Sequence, residues 1–549
     1  MLKIIPLGGL GEIGLNMTVV EYKETIFIID AGIMFPENHM LGIDVVIPEM
    51  NYIEKNKHKI KGIILTHAHE DHIGALPYLL KKISIPVYAT SFTLSIIKNK
   101  LKEFDLLNNV ILNQVFFTEK IFIMPFEIEF IRVSHSTVDG AGLAITTPEG
   151  LIVHTGDFRI NNSIEELNST DILKFAKCGE KRVLALFSDS TNVEKKGYTI
   201  PDEKIIKNLG KIVAKSKGRA IITLFSSNVL RIQQIIDIAI KNKRKIVFNG
   251  RSIEQTVLAA REIGYIKYSD DMCVNVKKVN SYPDNKIVII TTGSQGEPMS
   301  ALLRMATGFH KQIDIKKGDT VILSSRFIPG NEKAVANIIN KLYERGAYVI
   351  YNKIAQVHAS GHAYREELKL MIRLTKPRYF IPIHGEYRHL VIHAKLAEEM
   401  GVLHDNVLLA GNGDVICFHE NKAEISDKVN TGRVLIDGKG IGDVGTTVLK
   451  ERHNLSEDGL VIVSMIIDRE TGIVLYGPDI VSKGFVFGAA TGHLVDDAQC
   501  VILEIVEDIE IGTQNRVDII RNKLQKDLKK YFFFTIRRRP VIMPIIIEL

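Results

Sequence analysis

Short apolar runs broken by glycine and polar turns dominate the first part of the chain. "LKIIPLG", "NMTVVEY" and "TIFIIDAG" are rich in β-branched residues and lack a helical period, so they predict strands joined by tight turns. Ile60 to Leu65 predict another strand, which leads through the polar turn "THAHEDHIG" into a helix. Further strands are predicted at "IPVYAT", "IEFIRVSHS", "GLAITTPEGLIVHTGDF" and "RVLALFSDS". So many strands with few helices between them predict sheet layers covered by helices.

After about residue 200 the pattern changes. "PDEKIIKNLGKIVAKS" starts a helix with Pro201 near its first turn. Strands "RAIITLFSS", "KIVFNG", "KIVIITTGSQG", "DTVILSS" and "AYVIY" then alternate with helices such as "NVLRIQQIIDIAIKN" and "EKAVANIINKLYERG". Regular alternation of this kind predicts a parallel sheet. A helix, a strand and another helix follow from "HASGHA" to "LAEEMG", and a glycine-rich stretch after about residue 405 reads as a linker. The last unit combines the strand "GLVIVSMIID", two helices and the strand "RPVIMPIIIEL". In its second helix Val517, Ile520, Leu524 and Leu528 share one face, and the opposite face is basic. The fold class is α/β.

At 549 residues the chain is expected to form about three domains or more, with a core large enough to need no disulfide. Its net charge of +6 is compatible with a polyanionic partner but too small to argue for one. Cys178, Cys273, Cys417 and Cys500 are far apart and form no C-x-x-C pair, which predicts reduced thiols in a cytoplasmic protein. The N-terminus fits no signal peptide, and the apolar runs are too short to span a bilayer.

The densest chemistry lies in "THAHEDHIG". His67, His69, Asp71 and His72 occupy four of six positions directly after a buried strand. Imidazole and carboxylate suit Zn²⁺ and related divalent ions such as Mn²⁺ or Mg²⁺. Four such groups exceed what one open catalytic site takes, so two cations are expected. Three other apolar strands end in one potential ligand each: His135, Asp157 and His384.

With these residues the chain resembles the metallo-β-lactamase superfamily. The resemblance implies one metal on His67, His69 and His135, a second on Asp71, His72 and His384, and Asp157 bridging them. Asp30 would orient ligands rather than bind metal. The βα-alternating unit between Asp157 and His384 resembles the β-CASP insertion of nucleic-acid-processing members. "LFSDSTN" with Asp189, "HASGHA" with His362 and "IPIHGEY" with His384 resemble its motifs. Within that group "PLGGLGEIGLNM", "LTHAHEDHIGALPYLL", "TTGSQGEPMSAL" and "IPGNE" resemble segments of the bacterial ribonuclease J family, over the whole chain. One departure is Arg326, where the family pattern implies a small residue.

The resemblance implies an αββα sandwich in two parts, 1–200 and 356–425, with a β-CASP domain at 201–355. A linker at 426–449 would precede a small C-terminal α/β domain at 450–549. It also implies a ribonuclease of RNA maturation and mRNA decay, acting as a 5′-to-3′ exonuclease that prefers 5′-monophosphate ends and also cuts internally. Asp71, His72, Asp189 and His362 would carry the chemistry, His362 contacting the phosphate or assisting the leaving group and Asp189 orienting a neighbour. Implied partners are RNA, a second or fourth copy of the chain bound through the C-terminal unit, and a paralogous subunit or RNA-degradation complex. A DNA- or 3′-end-processing β-CASP nuclease and a catalytically weak partner subunit are the alternatives.

A pocket for a 5′-phosphate has candidate donors in Ser226, Ser227 and Asn228 before one helix, and in Ser360, Gly361 and His362 before another. Plain helix capping explains the same residues equally well. Arg231, Arg251 and His358 are candidates for an RNA channel against the commoner reading of solvated charge. His154 reads as a packing residue or as one that orients the ligands, and His389 and His393 read as surface or packing residues. "RRRP", Arg537 to Pro540, either touches nucleic acid or is a solvated strand entrance. Gly9, Gly11 and Gly14 have dinucleotide-fingerprint spacing, with Asp30 about 20 residues on. A strand rather than a helix is predicted to follow them, so no nicotinamide or flavin cofactor is expected. Glu12 and Asn16 are expected to brace backbone near the metals.

Overall fold

The computed structural model describes residues 1–160, 169–295, 300–325, 331–420, 422–485 and 493–549. Arg326 lies outside these residues. The chain forms two compact units: residues 1–34 with 46–434, and residues 35–45 with 435–549.

The larger unit is built on two stacked sheets. An eight-stranded sheet runs in the order Lys422–Lys428, Asp414–His419, Leu2–Gly8, Met17–Tyr22, Thr25–Ile29, Ile60–Ile64, Val87–Ala89 and Leu112–Gln114. A six-stranded sheet runs Tyr379–Ile383, Val183–Asp189, Gly150–His154, Ala141–Thr147, Phe126–Arg132 and Lys120–Ile123. Alternate residues of both sheets meet in one core, where Ile4, Phe27 and Ile64 of the first face Phe126, Phe130, Leu143 and Phe187 of the second. The outer face of the six-stranded sheet is closed by helices Ile172–Glu180, Arg365–Thr375 and Tyr387–Glu399, through Phe175, Met371 and Leu396. This is the αββα sandwich of a metallo-β-lactamase domain. The parallel pairing of Val183–Asp189 with Tyr379–Ile383 joins strands far apart in sequence.

The chain between those two strands folds as a five-stranded, wholly parallel sheet. Its order is Lys245–Asn249, Ile287–Thr291, Ala220–Thr223, Thr320–Leu323 and Tyr348–Ile350. Its strands are apolar on both faces, as a sheet flanked by crossover helices requires. The connections leave Ala220–Thr223 and Thr320–Leu323 in opposite directions. The switch point between them is where such sheets bind ligands, beyond the carboxyl ends of the strands.

In the smaller unit Leu460–Ile467 lies between Val474–Lys483 and Val541–Glu548. Every second residue of the central strand is buried, beneath helices Leu494–Glu507 and Arg516–Ile536. Ile520, Leu524, Leu528 and Phe532 supply the buried row of the long helix, while Val517 is only half-buried. The 426–449 stretch expected as a linker carries the end of strand Lys422–Lys428, strand Arg433–Asp437 and the start of helix Thr446–Asp458. No helix among the described residues is long and apolar enough to cross a membrane. The four cysteines are free thiols.

Candidate metal centre

Each ligand candidate sits just past the end of a strand, on one rim of the sandwich. Asp30 follows Thr25–Ile29, His67 follows Ile60–Ile64, and His135 follows Phe126–Arg132. Asp157 follows Gly150–His154, and His384 follows Tyr379–Ile383. His69, Asp71 and His72 enter on the short helix Glu70–Ile73 and the turn before it. Asp30 and His384 take left-handed backbone angles, φ 61° and 52°, which non-glycine residues rarely adopt. Both turn the chain sharply from its strand toward the rim.

Asp157 is the hub. Its Oδ2 lies 3.3 Å from His72 Nε2, 3.6 Å from His384 Nε2, and 3.7 Å from both His67 Nε2 and His135 Nε2. His362 Nδ1 is 3.9 Å away. Two groups of four potential ligands therefore share this carboxylate: His67, His69, His135 and Asp157, and Asp71, His72, Asp157 and His384. Asp189, His362 and His384 form a third cluster beside them. All seven sequence-predicted ligands converge, and Asp30, Asp189 and His362 join them.

Neighbouring hydrogen bonds set the imidazole tautomers. The Thr66 hydroxyl donates its one hydrogen to Asp30 Oδ2 at 2.8 Å, so His67 Nδ1, 3.0 Å away, must donate to that oxygen. The His67 lone pair is thus left on Nε2, which is buried and has no hydrogen-bond partner. His72 Nδ1 donates to Asp30 at 2.7 Å, and His135 Nδ1 to the Gly361 carbonyl at 2.8 Å. Thr191 donates to the His384 carbonyl, so its oxygen accepts from His384 Nδ1 at 2.7 Å. Four imidazoles consequently aim Nε2 at Asp157. Four imidazole Nε2 atoms gathered around one buried carboxylate, that of His67 without any hydrogen-bond partner, are a donor set that fits divalent cations.

The protonation pattern agrees. Burial depresses His67 and His135 well below the usual imidazole range and His69 to about 4. Burial also opposes charge on His384, but Asp157, Asp71 and Asp189 carry it up to about 9. His72 is likewise raised, by Asp157, Asp71 and Asp30 against burial. Burial pushes the Asp157 carboxyl up, yet His384 and His72 hold it well below its ordinary value. A cation binding at pH 7 must therefore displace protons from His72 and His384. We expect release of on the order of two protons per chain, and an affinity that rises with pH toward about 9 and weakens in acid. Calorimetric titration with Zn²⁺ in buffers of different ionisation enthalpy measures the release; heats independent of buffer would refute it.

The glycine turn at the start of the chain braces this rim. Gly9, Gly11 and Gly14 all have positive φ, and strand Met17–Tyr22 follows them where a pyrophosphate site needs a helix. Leu10 and Gly11 pair with Gly385 and Glu386, directly after His384. Asn16 donates from its side chain to the Asp71 carbonyl at 3.0 Å, and Glu12 accepts from Asn412 and Arg433. His154 accepts from Gly156 N, His393 meets Ser190 and Phe380, and His389 caps the start of its own helix.

Beside the ligands a small cavity is lined by His135, Ser136, Arg159, Arg231, Ser360 and Gly361, among others. Arg159 and Arg231 are 5% and 4% exposed and share one carboxylate, Asp202. Arg159 Nε and Arg231 Nη1 are buried without a hydrogen-bond partner. Burial lowers Arg231 only to about 10, so it stays charged at neutral pH. The cavity wall is therefore net cationic, with two guanidiniums against the one carboxylate of Asp202. Of the expected phosphate donors, Asn228, Ser360 and Gly361 line it. Ser226, Ser227 and His362 do not, and Asn228 already caps the helix Val229–Lys241 through Arg231 N. Arg251 is exposed at the start of helix Arg251–Glu262, and His358, pushed down to about 3 by burial and Arg231, is half-buried. Arg159 carried no sequence signal, because only the fold brings it to Asp202.

Four family models match successive parts of the chain. They are the metallo-beta-lactamase superfamily (residues 10–227), the ribonuclease J beta-CASP domain (217–342), the Zn-dependent metallo-hydrolase RNA specificity domain (348–409) and the ribonuclease J C-terminal domain (447–549). Ribonuclease J2 of Bacillus subtilis (strain 168) is 40% identical over 546 residues, covering 100% of this chain and 98% of the relative. Ribonuclease J 2 of Staphylococcus aureus (strain MRSA252) is 41% identical over 554 residues, with the same coverage. A solved structure, a protein of unknown function from Enterococcus faecalis V583, shares the fold at a TM-score of 0.55 and 16% identity, covering 76% of this chain and 99% of that one. Matched end to end at this identity, the chain belongs to the ribonuclease J family.

Proposed function

We propose that the chain is a metal-dependent ribonuclease that hydrolyses RNA phosphodiester bonds. It degrades 5′-monophosphorylated ends in the 5′-to-3′ direction and also cuts internally. The observation that carries this reading is the shared wall between the ligand cluster and the cationic cavity. His135 is a ligand candidate, Gly361 holds its Nδ1–H, and both line the cavity with Arg159 and Arg231. An RNA end whose phosphate occupied the cavity would lie beside the ligands.

One cation would be held by His67, His69, His135 and Asp157, and a second by Asp71, His72, His384 and Asp157, with Zn²⁺ suited to this set and Mn²⁺ or Mg²⁺ admitted. Ions held there would supply Lewis acidity and positive charge for an in-line phosphodiester displacement. The protein orients that chemistry. Asp30, Thr66, Thr191 and the Gly361 carbonyl fix the imidazoles by their outer nitrogens. His362 Nδ1 is 2.8 Å from Asp189 Oδ2, which steadies the ring and any positive charge on it. Its Nε2 is then the proton donor for the leaving 3′-oxygen. The complete ligand set speaks against a catalytically weak partner subunit.

The smaller unit supports self-association into dimers or tetramers. On its sheet face away from the helices Met543, Ile545, Ile547 and Val481 are exposed as one apolar patch.

The test compares decay of 5′-monophosphate, 5′-triphosphate and 5′-hydroxyl RNA, and of matched single-stranded DNA. Arg231→Gln should reduce the monophosphate-to-hydroxyl rate ratio by about 10–100-fold, as loss of a hydrogen bond to a charged group implies. Equal wild-type rates on all RNA ends would remove the end preference, and faster decay of DNA would overturn the ribonuclease assignment.

A further inference from the structure

The long helix Arg516–Ile536 has a solvent face unlike its buried one. Lys526, Lys530, Phe533 and Arg537 recur at spacings of four, three and four, which aligns them opposite the buried row Ile520, Leu524, Leu528 and Phe532. Lys529 and Phe534 flank the line. Phe534 is 71% exposed at the helix end. The Phe533 ring carries two guanidiniums, Arg539 at 4.1 Å and Arg537 at 5.3 Å from its centroid. The line from Lys526 to Arg537 is about 16 Å long.

A structural explanation covers only part of this. The helix ends at Ile536 with Arg537 in the left-handed cap position, and cations there complement the helix dipole. That dipole amounts to about half a charge. Of the other cations, Arg521, Lys523 and, within the line itself, Lys530 pair with Asp518, Asp508 and Asp527, and Arg538, past the helix end, donates to the Phe485 carbonyl. Lys526, Lys529, Arg537 and Arg539 have no ion pair among the described residues, and the dipole has no use for an exposed phenyl ring.

We propose that this face is a binding site for single-stranded RNA, with Phe534 as the stacking platform, Phe533 holding the two guanidiniums in place, and Lys526, Lys529, Arg537 and Arg539 as phosphate contacts. An open aromatic face beside cations without carboxylate partners is what unpaired bases and their backbone require. A protein partner would have to bring carboxylates to match, whereas RNA brings both charge and stackable rings. The proposal rests on the reading that the chain acts on RNA and adds a contact outside the residues that hold metal.

The test uses the full-length protein in chelator, so that RNA stays intact, and follows a fluorescein-labelled 20-nucleotide single-stranded RNA by anisotropy. Phe534→Ala and the double variant Arg537→Ala/Arg539→Ala should each weaken binding about tenfold. The double variant should also lower the salt slope by about 0.7 per charge removed, and binding of duplex RNA should be insensitive to Phe534→Ala. Arg521→Ala/Lys523→Ala removes two charges from the same helix and is the control. Unchanged affinity in the patch variants, equal losses in the control, or altered sedimentation with unaltered RNA binding would each overturn the site. Hydrolysis of the same RNA by the wild type with Zn²⁺ or Mn²⁺ separates the two proposals. Without hydrolysis the ribonuclease reading falls; with hydrolysis but no patch effect, only this site does.

Discussion

Asp157→Asn should lower RNA hydrolysis by at least about 10³-fold, more than loss of any one hydrogen-bond donor typically costs. The substitution keeps the side chain's shape and one oxygen but removes the charge that five imidazole nitrogens approach within 3.9 Å. Both ligand groups lose their common member, so both should bind metal less tightly. Elemental analysis of purified wild type and variant, with RNA decay on the same samples, reads the two effects together. A variant with full metal content and near-normal hydrolysis would show that Asp157 bridges nothing.

The second large effect comes from a residue with no functional group. A Cβ on Gly32 would lie 1.6 Å from the Asp71 carbonyl oxygen and 2.2 Å from its carbon. Both are backbone atoms, so no side chain can rotate away. Gly32→Ala must separate the Gly32 strand end from the helix Glu70–Ile73, and Ala31 N, which donates to the His72 carbonyl at 2.7 Å, moves with it. A ligand displaced by about 1 Å costs on the order of 10²-fold in rate. The group containing Asp71 and His72 should lose its cation first, and His67, His69 and His135 should retain theirs. Co²⁺ substitution followed by absorption spectroscopy counts the sites. Two equally filled sites in Gly32→Ala would contradict the close approach.

The ligand candidates were more legible than the residues that aim them. His67, His69, Asp71 and His72 are adjacent in sequence, and His135, Asp157 and His384 each end an apolar strand, so pattern alone was enough to nominate them. Thr66 was silent because its role depends on a proton count between Asp30 and His67. The Gly361 carbonyl and Thr191 were silent because backbone acceptors and lone hydroxyls have no signature until the fold supplies their partner. Arg231 reads from the sequence as a channel candidate or, more commonly, as solvated charge, whereas it is buried against Asp202, whose other oxygen holds Arg159. The glycine turn shows the converse. Its spacing matched a nucleotide motif, and only the strand after it, together with its pairing to the segment behind His384, reveals a brace.

That brace and the late strand have a consequence for synthesis on the ribosome. Leu2–Gly8 completes its pairing only with Asp414–His419, and Val183–Asp189 waits for Tyr379–Ile383 across the whole inserted sheet. His384 arrives with that last strand, so a nascent or prematurely released chain that stops before it carries His67, His69, Asp71 and His72 without the residue that completes their cluster. Closing so long a loop is slow, and the inserted sheet, whose strands are contiguous in sequence, can fold while it is open. A translation product released before Tyr379 therefore lacks an edge of the six-stranded sheet and the ligand candidate His384 together.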